Sequence, residues 1–98
     1  VGGDGTIIAS TDNGNNWSKK DSGTWPYLRS VACNGNTWVA VGNNGTIIAS
    51  TNNGNTWRQK NSGADWGLTS VAYNGNTWIA VGDKGTILRS SDTAVWEP

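Results

Sequence analysis

One spacing limits this chain more than any other: its features recur every 40 residues. Trp17 and Trp57 are 40 positions apart, as are Trp38 and Trp78, and Gly5, Gly45 and Gly85 fall in step. Residues 1–40 and 41–80 agree at roughly two thirds of positions, and residues 81–98 begin a third copy. The clearest piece is a hairpin that starts at Asn34-Gly35-Asn36-Thr37-Trp38, turns at Gly42 to Gly45, and ends at Ser50 and Trp57. Residues 74–90 repeat its first two strands and residues 1–17 its second half. A unit this short cannot bury both of its faces alone, so like units must stack on one another.

Within each copy the pattern is that of strands. Thr6 to Ser10 is rich in β-branched residues. Asp12-Asn13-Gly14 is a turn, because Asn-Gly tolerates positive φ at low cost. Trp17 to Lys20 is more polar and suits an edge, where lysines discourage pairing with other chains. Strands are expected at 28–33, 37–41, 46–51 and 56–60, with the same series starting again at Leu68. Trp38 and Ala40 make one face of the second strand apolar, and Val39 and Val41 the other, which predicts a strand sandwiched between two layers. Gly42 to Gly45 reads as a four-residue hairpin loop. No stretch has a 3.6-residue period, so no helix is expected.

A 40-residue period of short strands, rich in glycine and aromatics, points to an all-β chain of β-propeller blades, each of four antiparallel strands. About two and a half blades are present. The expected division of the single repeat domain 1–98 is a partial blade and connecting loop (1–27), a complete blade and connecting loop (28–67), and a second blade with a degenerate last strand (68–98). The chain opens within a repeat and contains no Met. That pattern is expected of a piece of a longer protein, a processed form or an engineered sequence.

Seven basic and seven acidic side chains give a net charge of zero, which removes the electrostatic case for nucleic acid or an anionic membrane. No apolar run exceeds about four residues, far short of a spanning helix. Cys33 is the lone cysteine, so no intrachain disulfide is available; it reads as a small buried filler. Asp12-Asn13-Gly14-Asn15 has the composition of a calcium loop but lacks the ligand spacing and the terminal glutamate. No metal site and no cofactor is expected.

Ser10-Thr11-Asp12-Asn13-Gly14-Asn15-Asn16-Trp17 resembles the Asp-box, or bacterial neuraminidase repeat, whose pattern is Ser/Thr-x-Asp-x-Gly-x-x-Trp/Phe. The second copy places Ser50, Asn52, Gly54 and Trp57 at those positions, with Asn for Asp. The third keeps Ser90, Asp92 and Trp96 but is one residue short and lacks the glycine. With the Asn-Gly-Asn-Thr-Trp runs, the blades look like those of bacterial propellers related to photosystem II assembly factors. The resemblance covers almost the whole chain and speaks to fold. In physical terms the box is a turn. The short acidic or amide side chain accepts backbone N–H bonds, glycine takes positive φ, and the tryptophan fills space towards the next blade.

Sialidases carry this motif, and for them the resemblance implies three clustered arginines, a tyrosine nucleophile beside a glutamate, and an aspartic acid. Here the arginines are Arg29, Arg58 and Arg89, the one glutamate is Glu97, and histidine is absent. The chain is therefore expected to be non-catalytic. In a propeller the loops between strands two and three share a face with the loops between blades. The copies differ there, at Gly3-Asp4, Asn43-Asn44 and Asp83-Lys84, and at 24–27 against 64–67. Trp25 and Trp66 lie outside the repeat register, beside Tyr27 and Asp65. These four residues are the candidate ligand site. The same tryptophans also suit a plain role as caps over the gap between blades, while Trp17, Trp38, Trp57, Trp78 and Trp96 are assigned to packing.

The expected function is a binding or interaction scaffold that self-associates to complete a closed propeller, since open blades leave apolar faces in water. The alternatives are a multivalent carbohydrate-binding lectin using the loop tryptophans and, further off, a sialidase-like glycosidase fragment. The expected partners are a second copy of the chain and a glycan or protein ligand. The low charge, with what the resemblance implies of the family's usual setting, leans towards an extracellular or periplasmic location.

Overall fold

The long hairpin folds with every neighbouring strand antiparallel. A computed structural model describes residues 1–10, 14–20, 23, 27–63, 65–93 and 95–97 of the chain. Among them the strands are β1 (Ile7–Ala9), β2 (Ser18–Lys20), β3 (Leu28–Asn34), β4 (Thr37–Gly42), β5 (Thr46–Ser50), β6 (Arg58–Lys60), β7 (Leu68–Tyr73), β8 (Trp78–Gly82) and β9 (Ile87–Ser90). They form three sheets, ordered β1-β2, β3-β4-β5-β6 and β7-β8-β9. The chain is all-β, and none of these sheets closes on itself. Next to β9, Arg89 and Glu97 exchange two backbone hydrogen bonds of 2.8 and 3.0 Å, the start of a fourth strand. The loops Gly3–Gly5, Asn43–Gly45 and Asp83–Gly85 are single 3-10 turns. Each holds a non-glycine residue at positive φ: Asp4 at 56°, Asn44 at 61° and Lys84 at 61°.

The sheets stack face to face because the sequence of β4 is apolar on both sides. Val39, Ala40 and Val41 are all fully buried. Val39 and Val41, with Ile47 and Ala49 from β5, pack against Leu68, Val71, Trp78, Ala80, Leu88 and Trp96 of the third sheet. Ala40 turns the other way and joins Leu28 and Ile48 against Ile7 of the first sheet. Full burial of an Ile, Leu or Val side chain contributes about 1.5–3 kcal/mol each, so these two junctions account for most of what holds the sheets together. The inner strands also approach one another, with the Val71 N–H donating to Ser30 Oγ at 3.3 Å.

The 40-residue offset permits a comparison of the same position in different surroundings. Val71 is 6% exposed against the second sheet, whereas its counterpart Val31 is 36% exposed. Trp78 is buried, and packs against Tyr73 with ring centroids 4.6 Å apart and planes tilted by 41°. Trp38 is only half-buried. The difference has one cause: on the side of Val31 and Trp38 the first sheet has only two strands among the described residues, so it covers Leu28 at the start of β3 and leaves Val31 and Cys33 exposed. This corrects the reading of Cys33, which occupies the Tyr73 position on that uncovered side and is exposed rather than buried. Trp17 is likewise exposed rather than packed. Trp57 and Trp96 show why: each belongs to the junction with the preceding sheet, not the following one as the sequence suggested. Among the described residues no sheet precedes Trp17.

Two glycines hold the junction between sheets and loops by close approach. A methyl group on Gly42 would run into the Tyr27 carbonyl oxygen, and one on Gly82 into the Gly67 carbonyl oxygen. Both glycines have extended backbone, with φ of −168° and −167°, so the demand is for space and not for an unusual dihedral. Gly2, the third member of the series, has nothing within 4 Å of such a methyl. Gly42→Ala should therefore destabilise the chain by about 1–3 kcal/mol, as overpacking does, while Gly2→Ala should be nearly neutral. Urea denaturation of the two variants measures the contrast.

Candidate functional site

The strands present different chemistry at their two ends. At one end lie the turns after Ser10, Ser50 and Ser90. The second turn shows the local design in full. Ser50 Oγ accepts the Gly54 N–H at 2.9 Å and donates to Asn52 Oδ1 at 2.8 Å. Asn52 Oδ1 also accepts the Thr56 N–H at 2.9 Å, and Asn52 Nδ2 donates to Thr56 Oγ1 at 2.7 Å. Asn in place of Asp thus keeps the acceptor and adds a donor. Gly54 takes φ 85°, and its carbonyl accepts the Trp57 indole N–H at 2.9 Å.

The other two copies repeat parts of this network. Gly14 N–H donates to Ser10 Oγ, and the Trp17 indole to the Gly14 carbonyl, both at 2.9 Å; Asp12 lies outside the described residues. In the third copy Ser90 Oγ donates to Asp92 Oδ1 at 3.2 Å, and Asp92 Oδ1 accepts the Val95 N–H at 3.2 Å. The Trp96 indole donates to the Thr93 carbonyl at 2.8 Å. Thr93 replaces the missing glycine in that role at φ 64°, a strain of about 1–3 kcal/mol for a non-glycine residue. The degenerate copy therefore keeps its turn at a cost in backbone strain.

An open cleft of about 310 Å³ adjoins this third turn, lined by Thr77, Arg89, Ser90, Asp92, Val95 and Glu97. Arg89 Nε and Glu97 Oε1 lie 3.9 Å apart in it, both well exposed, which makes the pair worth little on its own. The repeat pattern does not mark this cleft. The signal was present as two departures from the repeat: Arg89 stands at the position of Ala49, and Glu97 at that of Arg58 across the strand pair.

The opposite end carries the predicted ligand residues. Gly67 lies between two successive 3-10 turns: a methyl placed on it would come within 4 Å of Asn43 and of the Asp83 carboxylate. Asp83 N–H donates to the Gly67 carbonyl at 2.9 Å. Tyr27, one repeat earlier, has the matching place, its ring against Gly3 and its carbonyl accepting the Asn43 N–H at 3.0 Å. Arg29 Nε donates to Asn43 Oδ1 at 2.6 Å. Trp66 projects from this connection, 52% exposed, with Lys84 Nζ 5.1 Å from the centre of its ring. Asp65 is exposed beside it. Trp25 falls outside the described residues. The structure thus joins Trp66 to Lys84 and Tyr27 to Gly3 and Asn43. Tyr27 and Trp66 belong to successive connections, one repeat apart.

Chemically, the loop end offers two exposed aromatic rings, Tyr27 and Trp66, with the Lys84 ammonium over the second. Such a surface can stack on a flat apolar face and hydrogen-bond its periphery. In comparisons with known proteins, the chain matches no family model, no curated protein and no solved structure.

The same turn hydrogen bond is buried in the second copy and exposed in the first. Ser50→Ala leaves the buried Gly54 N–H without its acceptor and should cost about 1–3 kcal/mol. Ser10→Ala, where the same bond is exposed, should cost less than about 1 kcal/mol. Chemical denaturation of both variants, followed by far-UV circular dichroism, checks the ranking.

Proposed function

We propose that the chain is a non-catalytic module of β-propeller blades that acts as an interaction scaffold and completes its stack by self-association. The observation that carries this reading is the middle sheet, apolar and buried on both faces by sheets 40 residues before and after it. A sheet of this kind has no stable existence alone, and the same applies to its neighbours, whose outer faces bear the same residue types. Exposed on those faces are Ile8 at 49%, Trp17 at 59% and Ile87 at 60%. The inventory supports a binding role over a catalytic one, because the chain has no histidine and a single glutamate. Light scattering after size exclusion tests the assembly. A mass that is a defined multiple of 10.3 kDa is expected, and a folded monomer at every accessible concentration would refute it.

A second reading, a multivalent carbohydrate-binding lectin, is favoured by the exposed Trp66 ring with Lys84 Nζ over it. On that reading Trp66→Ala abolishes binding on a glycan array while stability changes by less than about 1 kcal/mol, as at an exposed site. No binding to any sugar at high valency removes the lectin, and loss of folding in Trp66→Ala would assign this ring to structure.

A further inference from the structure

Two exposed apolar patches lie at opposite ends of the stack, and the repeat relates each to a residue set that is buried inside it. On the outer face of the third sheet are Val81, 38% exposed, and Ile87, 60% exposed. Forty residues earlier these are Val41 and Ile47, both fully buried against the third sheet. On the outer face of the first sheet are Ile8 and Trp17. Forty residues later these are Ile48, which is buried, and Trp57, which packs beside it against Ile7. One patch is thus the forward half of the internal junction, and the other is the rear half.

We infer that these patches are two halves of one intermolecular junction, and that a second copy of the chain docks head to tail, its Ile8 and Trp17 against Ile87 and Val81 of the first. This rests on the self-association proposed above and gives it a surface, a direction and a register. Scattered exposed isoleucines are ordinary on protein surfaces. These are not scattered, since each occupies a position that is buried at an internal junction. The side chains also match the internal pattern, in which Ile7 and Ile48 meet. Ile87 is the repeat counterpart of Ile7, and Ile8 that of Ile48. Both halves belong to the same chain, so one molecular species is sufficient. The contact is heterologous, and such contacts propagate until a ring closes. Arg89 departs from the template, standing where Ala49 is buried. Its side chain is exposed in the single chain, with Nε 3.9 Å from Glu97 Oε1.

Complementation between variants tests the direction. Ile8→Asp disables the rear patch and Ile87→Asp the forward one, and each residue is exposed in the single chain. Each variant alone should sediment as a folded monomer at concentrations where the unaltered protein assembles, with its dissociation constant raised at least about tenfold. Mixed in equal amounts, the two should form a species of two chains, because each supplies the patch that the other lacks. If the unaltered chain assembles but one variant is monomeric while the other still pairs with itself, the contact joins like faces and the head-to-tail geometry is wrong. If neither substitution weakens assembly, the contact lies elsewhere, and self-association itself survives. A monomeric unaltered chain overturns both. Circular dichroism confirms folding, and should either aspartate variant unfold, Ile8→Ser and Ile87→Ser serve in its place.

Discussion

The structure depends on one strand being unable to choose a side. Val39, Ala40 and Val41 follow one another in β4 and are all fully buried, so alternate residues must find apolar neighbours above and below the sheet. Leaving either face wet would forfeit several side chains at about 1.5–3 kcal/mol each, comparable with the whole stability of a domain this small. The three-layer stack follows from that constraint. The close approaches at Gly42 and Gly82 arise within each sheet, where Leu28 pairs with Gly42 and Leu68 with Gly82. There the connection entering a sheet must fit against the end of that sheet's second strand.

The same constraint explains which repeat-equivalent residues differ in burial. Val31 and Val71 have the same side chain at the same strand position and differ sixfold in exposure, because a full sheet faces one and a two-stranded sheet the other. Trp17, Trp57 and Trp96 form a second series, running from exposed through half-buried to buried. In each the indole donates to a turn carbonyl three residues back. The local hydrogen bond therefore orients the ring in every copy, and the neighbouring sheet decides whether the ring is buried.

Much of this was legible in the sequence. The positions of β3, β4 and β5, the apolar character of both faces of β4, and the turn chemistry around Ser50 follow from periodicity and residue type, which are local properties. The errors were those of context. Cys33 reads as buried because small apolar residues usually are, but its burial depends on a covering layer that the described residues do not supply on its side. The direction of Trp57 could not be read from a strand pattern, which gives alternation without saying which neighbour lies on which face. Of the candidate ligand residues, Trp66 gained a partner, Lys84, that sits in a different loop and is 18 positions away. No short-range pattern announces such a pair. The cleft at Arg89 and Glu97 is not legible in the periodicity, because these two residues break the repeat.

Stacking of the outer sheets through their template positions is the central claim, and hydroxyl-radical footprinting examines it most directly. Trp17 and Trp66 are exposed to similar extents in the single chain, at 59% and 52%. On this account Trp17 becomes protected as the protein concentration rises, while Trp66, in the loops away from the junction, keeps its reactivity. Equal reactivity of both tryptophans at every concentration would contradict it.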